Sequence, residues 1–238
     1  MKIKNVFDCY KEFIRKNPKS KEIFKNSGMV NDFGKLDFGF FPLGSGILTE
    51  KSKLNIAVIE EGGTLVLGND FGTLNYVENK CYNKREENSK TIDNLKSIGL
   101  KLEKTFFSNL FLGLRDNITH EGTTMTKLVV KRQQEYIDFC FEFFKMQFNL
   151  LNPKIVICLG TEVGKSLAKQ YQALENFSQA SLSLTKMFEE GNEKKFIVKT
   201  NDKVLGKRKF ILIPHPSYAH INWNKNDIKR QIAVSLKS

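Results

Sequence analysis

Three polar side chains, Asp70, Asn109 and His215, each stand at or just after the end of a short, mostly apolar stretch of the sequence. A carboxylate such as Asp70 can stabilise a developing positive charge or orient a water molecule. The imidazole of His215 can donate a hydrogen bond to a developing negative charge. The amide of Asn109 carries a donor and an acceptor, which suits it to reading a polar edge.

Each of these residues also has a purely structural interpretation. Asp70 lies next but one to Gly72, as in many turns, and His215 before Pro216 is typical of a solvated loop. The shared position at strand ends favours a functional role for Asp70 and His215. For Asn109 the residues alone leave open whether its amide reads a ligand or satisfies local backbone.

The apolar stretches predict four strands, each short enough and apolar enough to be buried on both faces, at residues 64–68, 105–111, 154–160 and 209–214. Helical patterns separate or flank them, at residues 3–26 with a break at 17–18, and at 92–99, 125–150, 161–171 and 226–236. Residues 28–50 and 113–124 are predicted as loops, 161 as a helix cap, and 174–203 remain ambiguous.

This alternation predicts an α/β fold: a three-layer α/β/α sandwich with a central four-stranded, mainly parallel sheet. Ligand-binding groups in such sheets gather on the loops that follow the strands. We interpret residues 1–238 as a single domain, with 1–50 as a helical and loop extension packed on it.

The composition points to a polyanionic partner. The net charge is +12, with an isoelectric point near 9.4, which favours nucleic acid first. A solubilising lysine-rich surface explains the charge equally well. We predict no signal peptide, because the first residues are polar, and no membrane span, hence a cytoplasmic location. We expect a monomer.

The sequence does not predict a metal site or a cofactor. The four cysteines at positions 9, 81, 140 and 158 form no closely spaced pair, which argues against structural zinc and an iron–sulfur cluster. Cys140 and Cys158 lie in apolar stretches and are predicted to be buried thiols. The segment 160–166 lacks the glycine spacing of a phosphate-binding loop, so we reject ATP binding.

Three motifs in this order resemble the uracil-DNA glycosylase superfamily. They are residues 68–73 after the first predicted strand, Asn109 at the end of the second, and the His-Pro-Ser sequence 215–217 after the last. The apolar strand at 154–160, after a long amphipathic helix, is similar to the third core strand of that family. The resemblance covers residues 65–223.

The resemblance implies roles for these residues. Asp70 would stabilise the sugar cation and the attacking water, and a neutral His215 would donate to the base carbonyl. Asn109 would read the edge of a flipped base, and backbone groups near Asn69 would also contact it. Tyr82 would stack on the base in preference to Tyr76.

The resemblance also implies contacts around the base. Phe71 stands where relatives often have proline, and its ring would line the pocket. Ser217 would hold a DNA phosphate, and the loop from Tyr218 to His220 would take the place of the wedge that fills the gap left by the flipped base. Tyr218 is bulkier than the usual residue there, which indicates a reshaped pocket.

The predicted function is therefore that of a monofunctional DNA glycosylase that leaves an abasic site, with uracil as the default base and DNA as the partner. No lysine is placed for a Schiff base, so no lyase step is predicted. Three alternatives stay open: excision of a modified base from phage DNA as a defence, a catalytically inert nucleic-acid-binding module, and, ranked last, an α/β hydrolase of nucleosides or nucleotides. Basic segments at 84–85, 131–132 and 207–209 would clamp phosphates or form a solvated face.

Overall fold

The structure is a computed structural model, and the parts of the chain that it describes are residues 6–30, 63–69, 90–101, 104–115, 133–180, 184, 188, 190–216 and 226–237. The helices are α1 (Val6–Lys16), α2 (Ser20–Asn26), α3 (Lys90–Ser97), α4 (Gln134–Leu151), α5 (Thr161–Gln170) and α6 (Asn226–Lys237). Tighter 3₁₀ turns span Gln172–Gln179 and Glu193–Phe196. The strands are β1 (Met29–Val30), β2 (Thr64–Gly68), β3 (Thr105–Asn109), β4 (Leu114–Arg115), β5 (Ile155–Leu159), β6 (Ile197–Asp202) and β7 (Gly206–Ile213).

The main sheet has five strands in the order β3-β2-β5-β7-β6. The first four strands are parallel, and β6 pairs antiparallel with β7. Helices flank this sheet, which confirms the predicted α/β class. The four predicted strands correspond to the four parallel ones, since these are the strands with continuous apolar runs.

The predicted strand count of four is wrong, because β6 was missed. β6 is an edge strand whose residues are exposed or half-buried except for Thr200, so its sequence lacks the apolar run that marks a buried strand. It folds back on β7 through a turn closed by Asp202, whose carboxylate accepts from the backbone N–H groups of Val204 and Leu205 at 2.7 Å. Gly206 follows with a left-handed φ of 65°.

Several predicted boundaries also move. α4 begins at Gln134 and not at residue 125, because Gln133 has φ −138° and ψ 80°, which is not helical. Thr161 is the first helical residue of α5 and not its cap, since Gly160 occupies the cap position with φ 86° and ψ 162°. The predicted loop at 113–124 begins with β4, which pairs antiparallel with β1. The predicted break near Pro18 does separate α1 from α2.

Two contacts place α4 and α5 on the same face of the sheet. The Phe148 ring of α4 stacks on Phe210 of β7 with 6.0 Å between centroids. In α5, a Cβ at Gly164 would lie 2.5 Å from a methyl carbon of Leu212, so the glycine lets this helix pack closely on β7. Phe210 and Leu212 are two residues apart and therefore point to one face. Gly164 is thus a packing residue, which accounts for the glycine in the segment 160–166.

The remaining layers follow from the chain connections. The crossover β2–α3–β3 runs in the opposite direction along the sheet from β5–α5–β7, so the right-handed crossover rule puts α3 on the other face. The helix α1 packs on α4 through the aromatic pair Phe13 and Phe139, whose centroids are 4.7 Å apart. Of the helices that the structure describes, none has the length and apolar character to cross a membrane.

Candidate functional site

The sheet has a topological switch point between its two central strands. From the end of β2 the chain crosses to β3 on one side, and from the end of β5 it crosses to β7 on the other. The connections therefore diverge and leave a crevice at the carboxyl ends of β2 and β5, where open α/β sheets bind ligands. Two of the predicted polar residues, Asn109 and His215, lie at this same edge.

Asn109 covers the end of β2. It is the register partner of Gly68 across the parallel β2–β3 pair. A Cβ built on Gly68 would overlap Oδ1 of Asn109, so the amide reaches over the glycine and a larger residue there would displace it. Asn109 itself is half-buried, with part of its surface left at the crevice.

His215 covers the end of β5 in the same way. The backbone N–H of Gly160 donates to the carbonyl of Ile213 at 2.8 Å, which holds the ends of β5 and β7 together. A Cβ on Gly160 would lie 3.4 Å from Cβ of His215 and 3.9 Å from its Cδ2. The imidazole therefore packs over the glycine, and it is half-buried.

The two side chains thus approach one crevice from opposite sides. They belong to β3 and to the segment after β7, which flank the central pair β2 and β5. Neighbouring strands are about 4.8 Å apart, so Gly68 and Gly160 mark two adjacent strand ends. Asn109 lies over the first glycine and His215 over the second. Sequence reasoning singled out Asn109 and His215 but missed the role of the glycines. The signal for it was a glycine directly after the apolar run of each central strand.

The backbone at the end of β2 is held by the turn that follows β3. The N–H of Leu110 donates to the carbonyl of Gly68 at 2.9 Å, and the N–H of Phe111 donates to the carbonyl of Asn69 at 3.0 Å. Asn69 is half-buried at the same edge. Two consecutive N–H groups of this turn therefore hold the end of β2 and orient the chain immediately before Asp70.

The segment that carries His215 is held from the opposite face by α3. The side-chain amide of Asn94 donates to the carbonyl of Pro216 at 2.9 Å, across 122 positions of sequence. Pro216 is buried, so this hydrogen bond fixes the backbone directly after His215. Sequence reasoning missed Asn94, because nothing in a short polar helix indicates which side chain bonds a distant loop.

Six predicted site residues lie outside the described residues, namely Asp70, Phe71, Tyr82, Ser217, Tyr218 and His220. The basic pairs at 84–85 and 131–132 also lie outside them. The basic run at 207–209 is described, and it lies at the amino end of β7, roughly 20 Å of extended strand from His215. Arg208 packs over the Phe148 ring at 5.8 Å, and Lys209 is buried, so neither is placed to hold DNA beside the crevice.

The described cysteines are core residues. Cys9, Cys140 and Cys158 are all buried free thiols, as predicted for the last two. Burial raises the pKa of Cys140 to about 12 and also raises the pKa of Cys158. Within the described ranges, no group of three or more His, Cys, Asp or Glu side chains is arranged to hold a metal ion.

Comparison with known proteins identifies a family. The family model described as the uracil DNA glycosylase superfamily matches residues 65–237. That match contains the five-stranded sheet except for Thr64, the first residue of β2, and it includes Gly68, Asn109, Gly160 and His215. No curated protein matches the chain. Because the family match covers well over half of the sequence and includes the whole crevice, the chain belongs to the uracil DNA glycosylase superfamily.

Proposed function

We propose that the protein is a monofunctional DNA glycosylase that draws one nucleotide out of the DNA stack and hydrolyses its N-glycosidic bond. The observation that carries the proposal is the placement of Asn109 over Gly68 and of His215 over Gly160, on the two sides of one crevice. An extruded base needs a pocket with polar groups for its edge and a donor for its leaving charge. The family match supports DNA as the substrate.

The base is recognised and activated by the two described side chains. The amide of Asn109 supplies a donor and an acceptor for the edge of a pyrimidine, and uracil is the default base. A neutral His215 donates a hydrogen bond to the base carbonyl. Negative charge grows on the base as the bond to the sugar breaks, so a donor already in place lowers the barrier.

Asp70 acts on the sugar. In the sequence it follows Asn69, whose backbone carbonyl accepts a hydrogen bond from the N–H of Phe111. Its carboxylate stabilises the positive charge on the sugar and orients water. The bond between C1′ and the base nitrogen breaks, the water oxygen bonds to C1′, and a proton from water balances the charge of the departing base. The products are a free base and an abasic site.

The residues around this centre complete the proposal by resemblance to the family. Tyr82 stacks on the extruded base, and the ring of Phe71 lines the pocket. Ser217 holds a phosphate beside the lesion. Tyr218 and His220 belong to the loop that fills the gap in the duplex, where a bulky wedge costs unstacking energy and keeps the nucleotide out.

The experiment is a base-release assay on defined DNAs. Purified protein is incubated with uracil in single strands, in U·G and in U·A pairs, with T·G mismatches, and with DNA that carries modified cytosines, and abasic sites are detected by alkaline cleavage. We expect release of uracil, and a loss of at least about a hundredfold in Asp70→Asn and in His215→Ala. Lys207→Ala, on the exposed amino end of β7, is the matched control and retains the rate.

The other outcomes are distinct. Release only from the DNA with modified cytosines keeps the glycosylase and replaces uracil as its substrate. No release from any DNA, together with binding that weakens steeply between 50 and 200 mM salt, contradicts the enzyme and identifies a nucleic-acid-binding module. Equal release by the Asp70→Asn and His215→Ala proteins contradicts the assigned catalytic roles.

A further inference from the structure

The helix α4 presents three buried polar groups to the segment that carries Asn109. Tyr136, Cys140 and Gln147 are each at most 1% exposed. They are separated by four and by seven positions, which places them on one face of a helix. We call these three residues the polar stripe. Six of the seven phenylalanines and leucines of α4 are also buried and fill the core, namely Phe139, Phe141, Phe143, Phe144, Phe148 and Leu151.

The polar groups of the stripe make hydrogen bonds to a short piece of chain, residues 108–112. The hydroxyl of Ser108 lies 2.9 Å from the side-chain amide of Gln147. The hydroxyl of Tyr136 donates to the carbonyl of Leu112 at 2.6 Å. The N–H of Leu112 donates to Sγ of Cys140 at 3.4 Å. The segment is thus held immediately before Asn109 and three residues after it.

Core packing alone does not explain these groups. A buried turn needs partners for its backbone, which accounts for the contacts to Leu112. Ser108 and Gln147, however, meet through their side chains. Apolar residues of similar size would fill both positions without the cost of removing a hydroxyl and an amide from water. Hydrogen bonds between defined atoms set the position of a segment along a helix, whereas apolar contacts tolerate sliding.

The held segment in turn holds the end of β2. Its two central N–H groups, those of Leu110 and Phe111, are the donors to the carbonyls of Gly68 and Asn69. A shift of the segment would therefore move the amide of Asn109 over Gly68 and also the backbone that leads to Asp70. The polar stripe lies on the far side of β3 from Asn109, because Ser108 and Asn109 alternate along the strand.

We propose that the polar stripe positions two parts of the site at once, the base-reading amide of Asn109 and the backbone before Asp70. Its members act through the segment 108–112 and are positioning residues. The assignment of these parts to base and sugar rests on the proposed function. The mechanical coupling, from α4 to the end of β2, does not.

Amide hydrogen exchange tests the coupling without any activity. Tyr136→Phe removes one hydroxyl and keeps the ring that stacks on Phe111. We expect the amides of Leu110 and Phe111 to exchange at least tenfold faster, with the amides of β5 unchanged. Phe139→Leu is the control: it trims the same helix where it packs on Phe13, at 4.7 Å, and leaves the stripe intact. The proposal is overturned if the amides of Leu110 and Phe111 exchange no faster in Tyr136→Phe than in Phe139→Leu.

Kinetics on a DNA that the wild-type protein cleaves separate positioning from stability. We expect kcat to fall about tenfold in Tyr136→Phe and in Gln147→Leu, with KM within twofold. Phe139→Leu should keep the wild-type kcat when it is assayed at a temperature well below its melting temperature. Cys140→Ser retains an acceptor for Leu112 and should keep more activity than Cys140→Ala. Unchanged kcat in both stripe variants contradicts a positioning role. If the wild-type protein releases no base, the proposed function fails, and the exchange data alone decide the coupling.

Discussion

At the scale of single residues, two glycines decide how closely the polar groups of the site approach. Gly68 and Gly160 end the central strands, and each lies beneath a polar side chain. Gly160 also has a φ of 86°, a left-handed conformation that side chains disfavour. Gly68 has no such constraint and is required only by the space that Asn109 occupies. A substitution at Gly68 therefore tests the position of Asn109 directly.

Gly68→Ala is expected to reduce base release by about tenfold or more, because the new methyl group displaces the amide of Asn109. The measurement is the single-turnover rate of abasic-site formation, alongside a thermal melt. Gly191→Ala is the control for a loss of stability: its methyl group meets no atom within 4 Å, but its φ of 73° strains the backbone, so the melting temperature should fall and the rate should not. A Gly68→Ala protein that melts normally and cleaves at the wild-type rate would show that the amide is not used.

Tyr171 gives a prediction on stability. Its hydroxyl is buried and has no hydrogen-bond partner among the described residues. Removing an unsatisfied buried hydroxyl relieves a desolvation penalty, so Tyr171→Phe should raise the free energy of unfolding by about 1 kcal/mol at pH 7. Urea titrations of the two proteins measure the difference. A destabilised Tyr171→Phe protein would indicate a partner that the phenylalanine loses.

The same residue predicts a pH dependence. Burial raises the pKa of Tyr171 to about 12, against roughly 10 for tyrosine in an unfolded chain. An acid whose pKa is raised on folding contributes its stability below the unfolded pKa and loses it as the pH rises through the folded one. The loss therefore falls between about pH 10 and pH 12, and amounts to about 1 kcal/mol at pH 11. Tyr171→Phe should lack this component in urea titrations from pH 8 to pH 11.

At the scale of elements, helices on the two faces of the sheet hold different parts of the same site. From one face α4 holds the turn after β3, and from the other α3 holds the segment after β7. Among the described residues, the short helix α3 reaches the segment after β7 through the hydrogen bond from Asn94 to the carbonyl of Pro216. A single substitution removes this hydrogen bond.

Asn94→Ala is expected to lower kcat several-fold with little change in KM, because the backbone that places His215 loses its tether. Ser97→Ala is a matched control on the same helix, since it removes a local hydrogen bond of 2.7 Å to the carbonyl of Asn94 and leaves the side-chain amide of Asn94 in place. Steady-state kinetics give kcat and KM for both proteins, and their melting temperatures show whether either substitution lowers stability. Equal kcat in the two variants would refute the tether.

At the scale of the whole molecule, the described cysteines lie in three different elements of the core. Cys9 is in α1, Cys140 in α4 and Cys158 in β5, and all three are buried. Burial raises the pKa of each thiol, so little thiolate forms near neutral pH. Their reactivity should report the opening of the core and not local chemistry.

In the native protein at pH 8, these three thiols are expected to resist a thiol reagent, and all three should react on unfolding in denaturant. Mass spectrometry of digested, labelled protein identifies each site. Labelling of Cys9 ahead of Cys140 and Cys158 would show that α1 opens independently of the sheet. Simultaneous labelling of the three would show that α1, α4 and β5 unfold together.

The local pattern of the sequence determined a large part of this protein. Continuous apolar runs predicted the four parallel strands, because strands buried on both faces need apolar residues throughout. Their alternation with helices predicted the layers and the edge where Asn109 and His215 lie. The order of the motifs predicted the family, which the match to residues 65–237 confirms.

Only the tertiary structure decided how the site is held. The edge strand β6 carries no apolar run, since one neighbour and partial exposure suffice for it. The hydrogen bond from Asn94 spans 122 positions, and that between Ser108 and Gln147 spans 39. The periodicity of apolar residues indicates which side chains share a face of one helix or strand. It does not indicate contacts between residues that are far apart in the sequence. The close packing of Asn109 on Gly68 likewise depends on strand register, which forms only when the sheet assembles.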